Sequence, residues 1–209
     1  MVSAAGHCKM TAIVDYRAGN LTSVKYAFAA IGAETVVTSD PDVVAAADRV
    51  VFPGVGAARS AMHNLSELGL VDAVRNAAAT KPFLGICLGM QILFSHTEED
   101  GGVDTLGIIP GQVRRFPDAP GFKVPEIGWN DVEPVGEGGI LGLADAYYFV
   151  HSYYAELCPF TVGRTSYAGV DFTAAVRRGN LFATQFHPEK SGNAGLELLS
   201  RFMSARVVL

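Results

Sequence analysis

Apolar residues along the first half of this chain come in short blocks, and between the blocks they recur at helical spacing. Met10-Thr11-Ala12-Ile13-Val14, Thr35-Val36-Val37, Arg49-Val50-Val51-Phe52 and Pro82-Phe83-Leu84-Gly85-Ile86 have the length and composition of buried strands. Asn20 is placed to cap a helix that puts Leu21, Val24, Phe28 and Ile31 on one face, with Gly32 as its stop. Asp40-Pro41 reads as the cap and first residue of a second, shorter helix. The pattern from about Ala57 to Ala79 is helical with an interruption near Gly69, and a further helix is expected over Leu88–Phe94. Strand and helix therefore alternate, which predicts a parallel sheet covered by helices on both faces.

The second half changes character. Gly107 to Phe116, Ile127 to Val132, Tyr147 to Tyr154 and Thr161 to Tyr167 read as strand-like pieces divided by Gly and Pro. Thr173–Val176 and Leu181–Phe186, joined through Arg177-Arg178-Gly179-Asn180, predict a hairpin. A last amphipathic helix is expected from about Ala194 to Met203. The expected fold class is α/β: a mostly parallel central sheet flanked by helices, with an added antiparallel portion. Residues 1–8 read as a short N-terminal extension and residues 9–209 as a single domain.

Composition narrows the function classes. A chain of 209 residues with 49% hydrophobic and 18% charged content suits one folded domain. Its net charge of -5, with no Lys/Arg run, argues against nucleic acid as a partner. No apolar stretch is long enough to cross a bilayer, and the N-terminus lacks the basic and apolar regions of a signal peptide. The three cysteines, Cys8, Cys87 and Cys158, have no Cys-x-x-Cys spacing. They predict a reducing, cytoplasmic setting with no disulfide framework and no metal site. Cys8 and Cys158 carry no motif.

Cys87 does carry one. In Gly85-Ile86-Cys87-Leu88-Gly89-Met90-Gln91 it stands between two glycines where a strand should turn sharply into a helix, the pattern of a nucleophile elbow. The positive end of the following helix is expected to favour its thiolate. A thiol nucleophile needs a base and a group that orients the base. Gln185-Phe186-His187-Pro188-Glu189 supplies both at a strand end, with Pro188 blocking strand continuation. His151, in Val150-His151-Ser152-Tyr153, is the rival base, with no acid near it in sequence. Pro53-Gly54-Val55-Gly56 follows a strand but has Arg59 where a dinucleotide fingerprint needs its third glycine. It can instead offer backbone N–H groups to an oxyanion, from Val55 or Gly56, beside the N–H of Leu88. Within Glu98-Glu99-Asp100, a carboxylate near a pocket can bind a substrate ammonium. Trp129, between Gly128 and Asn130, is placed to meet a partner.

Together, the segments Gly85–Gln91, Phe186–Glu189 and Pro53–Gly56 resemble the class I, Cys-His-Glu glutamine amidotransferases. Asp15-Tyr16-Arg17-Ala18-Gly19-Asn20-Leu21, Gly128-Trp129-Asn130, Tyr148–Tyr153 and Phe186–Gly192 are similar to the glutaminase subunits of imidazole glycerol phosphate synthases within that family. The resemblance implies that Cys87 attacks the γ-amide of glutamine, that His187 moves the proton and that Glu189 holds His187. It matches Gln91, Glu99, Ser152 and Tyr153 to glutamine-binding positions. It matches Trp129, Tyr148 and Lys190 to the interface with a (β/α)8-barrel cyclase, the partner of a heterodimer that would receive the ammonia for histidine biosynthesis. No cofactor is implied. One departure is Glu126, where the family commonly has His before Gly-Trp-Asn; it is expected to alter a contact with the cyclase. A paralogue serving another synthase, a stand-alone γ-glutamyl hydrolase and a non-catalytic regulatory subunit are the alternatives.

Overall fold

The computed structural model describes residues 10–136 and 139–207; the expected extension at residues 1–8 lies outside the described residues. In chain order the strands of the first half are β1 (Thr11–Val14), β2 (Thr35–Thr38), β3 (Arg49–Gly54) and β4 (Phe83–Cys87). They alternate with helices α1 (Leu21–Ala30), α2 (Pro41–Ala46), α3 (Ala58–Glu67) and α4 (Leu70–Thr80), as the apolar blocks require. The capping chemistry is local and holds. The Asn20 side chain accepts from the Ser23 N–H, and the Asp40 side chain from the Asp42 N–H. The break between α3 and α4 falls at Gly69, which adopts φ +65°.

After β4 come the one-turn helix α5 (Leu88–Gln91) and strands β5 (His96–Thr97), β6 (Val103–Asp104) and β7 (Gln112–Arg115). They are followed by β8 (Glu126–Pro134), β9 (Asp145–His151), β10 (Tyr153–Ala155), β11 (Thr161–Tyr167), β12 (Val170–Arg178) and β13 (Leu181–Thr184), and the chain continues into α6 (Gly192–Ser204). The central order is β2-β1-β3-β4-β13, all parallel. From β13 the sheet continues antiparallel through β12 and β10 to β7. Strand β8 pairs with β9 along its length and touches β11 at its far end, forming a ribbon that leans off the main sheet. The β12–β13 hairpin turns on Gly179-Asn180 alone, because Arg178 already pairs with Leu181.

Period-two alternation sorts the strand side chains into two apolar layers. Ala12, Val14, Val50, Phe52 and Phe83 pack with the helices on one face, including Leu65 of α3 and Val74 of α4. Ile13, Val51, Leu84 and Ile86 pack on the other with Phe28 of α1 and Leu198 and Phe202 of α6. No helix among the described residues is long and apolar enough to cross a membrane.

Three expectations change. The helix expected over Leu88–Phe94 is a single turn ending at Gln91, after which Leu93 and Phe94 bond back three residues. One turn has little macrodipole, so the supposed helix-end field gives way to individual backbone N–H groups. The strand expected from Tyr147 to Tyr154 is two, broken at Ser152. In the stretch from Gly107 to Phe116 only Gln112–Arg115 is strand.

The elbow depends on a close approach. A Cβ on Gly89 would lie 1.9 Å from the Phe52 carbonyl oxygen, and one on Gly85 would lie 2.9 Å from the Ala183 Cβ. Replacing Gly89 by Ala must push α5 off β3, since a backbone carbonyl cannot swing aside. For Gly89→Ala we expect a loss of about 1–3 kcal/mol, the usual range for overpacking, measured by urea unfolding. Wild-type stability in that variant would contradict the close approach.

Candidate active site

Cys87 is the last residue of β4 and the N-cap of α5, with φ 55° and ψ -113°. A non-glycine residue at positive φ on a sharp strand-to-helix turn is strained. Here the strain is held in place by the packing of Gly85 and Gly89 on either side. The sulfur lies 4.0 Å from the Val150 carbonyl and 3.8 Å from Gln185 Nε2. It opens into a cavity of about 360 Å³ whose lining includes Val55, Gly56, Leu88, Gln91, Glu99, His151, Ser152, Tyr153 and His187.

His187 leaves the sheet just after β13, where the 3-10 turn Pro188–Lys190 begins. Its backbone N–H bonds to the Tyr148 carbonyl at 2.9 Å, and Ser191 Oγ closes on the His187 carbonyl at 2.6 Å. The turn brings Glu189 back beside the ring, with Nδ1 2.7 Å from Glu189 Oε1 and both side chains buried. A carboxylate only accepts, so Nδ1 carries the proton. Nε2 is left facing the nucleophile, without a hydrogen-bond partner among the described residues. Burial works against a charged ring, but the Cys87 charge and the Glu189 carboxylate outweigh it and push the His187 pKa up to about 10. The site favours a charged His187 ring beside the Cys87 sulfur.

Each sequence-selected residue can now be placed. Cys87, His187 and Glu189 come together as a nucleophile–base–acid series. Leu88, Val55 and Gly56 line the same cavity, with Gly56 at φ +100°. Glu99 reaches the cavity while its Oε2 accepts the Ala58 N–H at 2.6 Å, at the start of α3, and burial raises its pKa. Glu98 turns outward to Arg114. Gln91 lines the cavity while its Nε2 donates to the Tyr153 carbonyl at 2.7 Å and to Gln185 Oε1 at 2.9 Å. Trp129, Tyr148 and Lys190 form one cluster beside the site. The Trp129 and Tyr148 rings meet edge-on, and Lys190 Nζ lies 5.8 Å from the Tyr148 ring centre. Trp129 is 59% exposed.

His151 does line the cavity, but both ring nitrogens face protein groups, Tyr153 O and Glu126 Oε2. It is a wall residue, not a base aimed at sulfur. Its acid is Glu126, far away in sequence and adjacent only through the β8–β9 register. Glu126, expected to alter a contact with the cyclase, is itself a buried side chain turned onto His151. Sequence reasoning also passed over Gln185, fully buried and aimed at the sulfur, although it sits two residues before His187. It passed over Tyr16 as well, whose buried hydroxyl abuts Gly54 with no hydrogen-bond partner among the described residues. Burial first, then the Cys87 charge, raises the Tyr16 pKa.

Residues 12–205 match the family described as glutamine amidotransferase class-I. The chain belongs to that family. Among curated relatives, this glutamine amidotransferase is 52% identical to imidazole glycerol phosphate synthase subunit HisH of Methanothermobacter thermautotrophicus, over 93% of this chain and 98% of that one. It is 51% identical to the protein of the same name from Methylococcus capsulatus, over 92% and 94%. Solved structures share the fold at lower identity. One described as a glutamine amidotransferase aligns with TM-score 0.72 at 22% identity, covering 92% of this chain and 97% of that one. A PurLQS structure from Thermotoga maritima aligns with TM-score 0.70 at 16% identity, covering 95% and 99%.

The charge balance at His187 is directly measurable. In the wild type, imidazole nitrogen shifts should report a doubly protonated His187 ring at pH 8. Cys87→Ala removes the largest raising influence and leaves burial opposed only by Glu189, so the titration should move to lower pH. A His187 ring already neutral at pH 7 in the wild type would refute the ion pair.

Proposed function

We propose that this chain is the glutaminase subunit of an imidazole glycerol phosphate synthase, with Cys87, His187 and Glu189 as its catalytic residues. The observation that carries the chemistry is the paired imidazole. Glu189 takes one side of His187, and Cys87 lies on the other. The pathway assignment rests on relatives about half identical over nearly their whole length that bear that name.

In this reading the Cys87 sulfur adds to the γ-carbonyl carbon of glutamine. The resulting oxyanion is received by backbone N–H groups of Leu88 and of Val55 or Gly56. The C–N bond breaks as His187 Nε2 delivers its proton to the departing nitrogen, releasing ammonia and leaving a thioester on Cys87. His187, now neutral at Nε2, takes a proton from water as the water oxygen adds to the thioester carbon. Cleavage of the C–S bond then releases glutamate and regenerates the thiolate–imidazolium pair. Glu189 fixes the tautomer throughout. Glu99 meets the substrate ammonium through Oε1, because Oε2 is engaged with Ala58. Ser152 and Tyr153 hold the substrate through the bend between β9 and β10, and Gln91 contributes its carbonyl oxygen.

The exposed Trp129 cluster, stapled to the catalytic turn through Tyr148, is the docking face for a (β/α)8-barrel cyclase. Ammonia passes to that partner without release to solvent. The cyclase then forms imidazole glycerol phosphate and an aminoimidazole carboxamide ribotide. In this reading the chain itself needs no cofactor.

The isolated chain is expected to hydrolyse glutamine negligibly, with strong stimulation once the cyclase and its ligand are added. In the complex, Cys87→Ala should abolish glutamine-dependent synthesis while free ammonia still supports the cyclase. Glutamine turnover persisting in Cys87→Ala would remove Cys87 from its role. High constitutive turnover by the lone chain would count against partner gating.

A further inference from the structure

A second buried His–Glu pair stands in the cavity wall, and the chemistry above does not use it. Strands β8 and β9 pair in the register Glu126↔His151, which brings His151 Nε2 to 3.0 Å from Glu126 Oε2 with side-chain exposures of 2% and 4%. The two atoms are close without the alignment of a hydrogen bond. The His151 ring is otherwise enclosed by the rings of Phe116, Phe149 and Phe172. Its Nδ1 lies 2.8 Å from the Tyr153 carbonyl. A carbonyl only accepts, so Nδ1 carries a proton.

The position of this pair gives it a task. The chain bends at Ser152, between β9 and β10, and the bend lines the cavity. The backbone is held there by a bond from the Phe116 N–H to the Ser152 carbonyl at 3.0 Å. The His151 side chain adds a second tie, reaching two residues forward to the Tyr153 carbonyl. That same carbonyl accepts from Gln91 Nε2, Gln91 Nε2 donates to Gln185 Oε1, and Gln185 Nε2 points at the Cys87 sulfur. At the other end, Glu126 Oε1 accepts from Asn130 Nδ2 at 2.9 Å, and Asn130 also bonds the Ser166 carbonyl. A series of polar contacts thus leads from the β8 ribbon toward the nucleophile, hydrogen-bonded at every step except the Glu126–His151 contact.

We propose that Glu126 is a positioning residue for glutamine binding: it locks the His151 ring, and through that ring it fixes the Ser152 bend that receives the substrate. The inference rests on reading the cavity as the glutamine site. Removing the lock should loosen substrate contacts and leave the Cys87–His187–Glu189 geometry, on the opposite wall, intact.

The test is steady-state glutaminase kinetics in the stimulated complex with the cyclase. Glu126→Leu fills the volume without a polar atom, whereas Glu126→Gln keeps an acceptor for Asn130 and a donor for His151. We expect Glu126→Leu to raise KM for glutamine about tenfold or more with kcat within about threefold, and Glu126→Gln to restore KM to within about threefold. Alkylation of Cys87 by iodoacetamide should proceed at the wild-type rate in both. A wild-type KM in Glu126→Leu, equal impairment in both variants, or a fall in kcat instead of a rise in KM would each overturn the proposal. If Glu126→Leu does not fold, Asn130→Ala, at a half-buried position, decides. It frees the outer end of Glu126 and should raise KM about threefold; an unchanged KM refutes the idea. Failure of the underlying reading is distinguishable, because the wild-type complex would then show no glutamine turnover at all.

Discussion

Everything in the active site hangs on how closely the elbow after β4 presses against β3. Gly89 sits where any side chain would strike the Phe52 carbonyl, and Gly85 is similarly confined by Ala183. This contact holds Cys87 at positive φ and aims its sulfur away from the sheet. The strain is tolerated because β4 is central, flanked on both sides by parallel partners, β3 and β13. An edge strand would relax; this one has nowhere to move. The same two neighbours deliver the other parts of the site. Strand β3 runs into the Val55–Gly56 loop, and β13 runs into His187.

Parallel strands therefore do more than build a core. They bring three consecutive carboxyl-terminal strand ends to one rim, which is where open α/β sheets place their chemistry. The antiparallel extension closes the cavity from the opposite side with His151, Ser152 and Tyr153. The opposing walls differ in polarity and task. On one, the Cys87 sulfur faces a His187 ring whose charged form is favoured by its neighbours in a buried setting. On the other, amides and carbonyls backed by the buried His151–Glu126 pair define shape. Gln185 bridges the two: Gln91 holds its carbonyl oxygen, and its amide nitrogen faces the sulfur.

Buried polar groups are costly unless paired, and this molecule keeps many of them around one cavity. The pairs His187–Glu189 and His151–Glu126 and the Gln91–Gln185 contact lie in or behind its wall, with the Tyr16 hydroxyl, which has no hydrogen-bond partner among the described residues, close by. A chain selected only for stability would fill these positions with apolar side chains. Their concentration at one rim marks where stability has been traded for chemistry.

Much of this was legible in the residues themselves. Alternating apolar blocks and helical spacing determined β1 to β4 and α1 to α4, because burial of a two-sided parallel sheet leaves a strong periodic imprint. Asn20 and Asp40 capped their helices as read, since caps act within three residues. The Cys87 elbow and the His187–Glu189 turn were readable for the same reason: each is local geometry around Gly or Pro. What remained hidden was set by register and packing between distant segments. The apolar pattern would have extended α5, but the backbone tightens after Gln91, where Leu93 and Phe94 bond back three residues. The break at Ser152, the inward turn of Glu126 onto His151 and the aim of Gln185 at the sulfur came from pairing strands far apart in sequence. Sequence by itself determined which groups could react; only the tertiary structure decided what held them, because a buried side chain's partner is chosen by space and not by spacing.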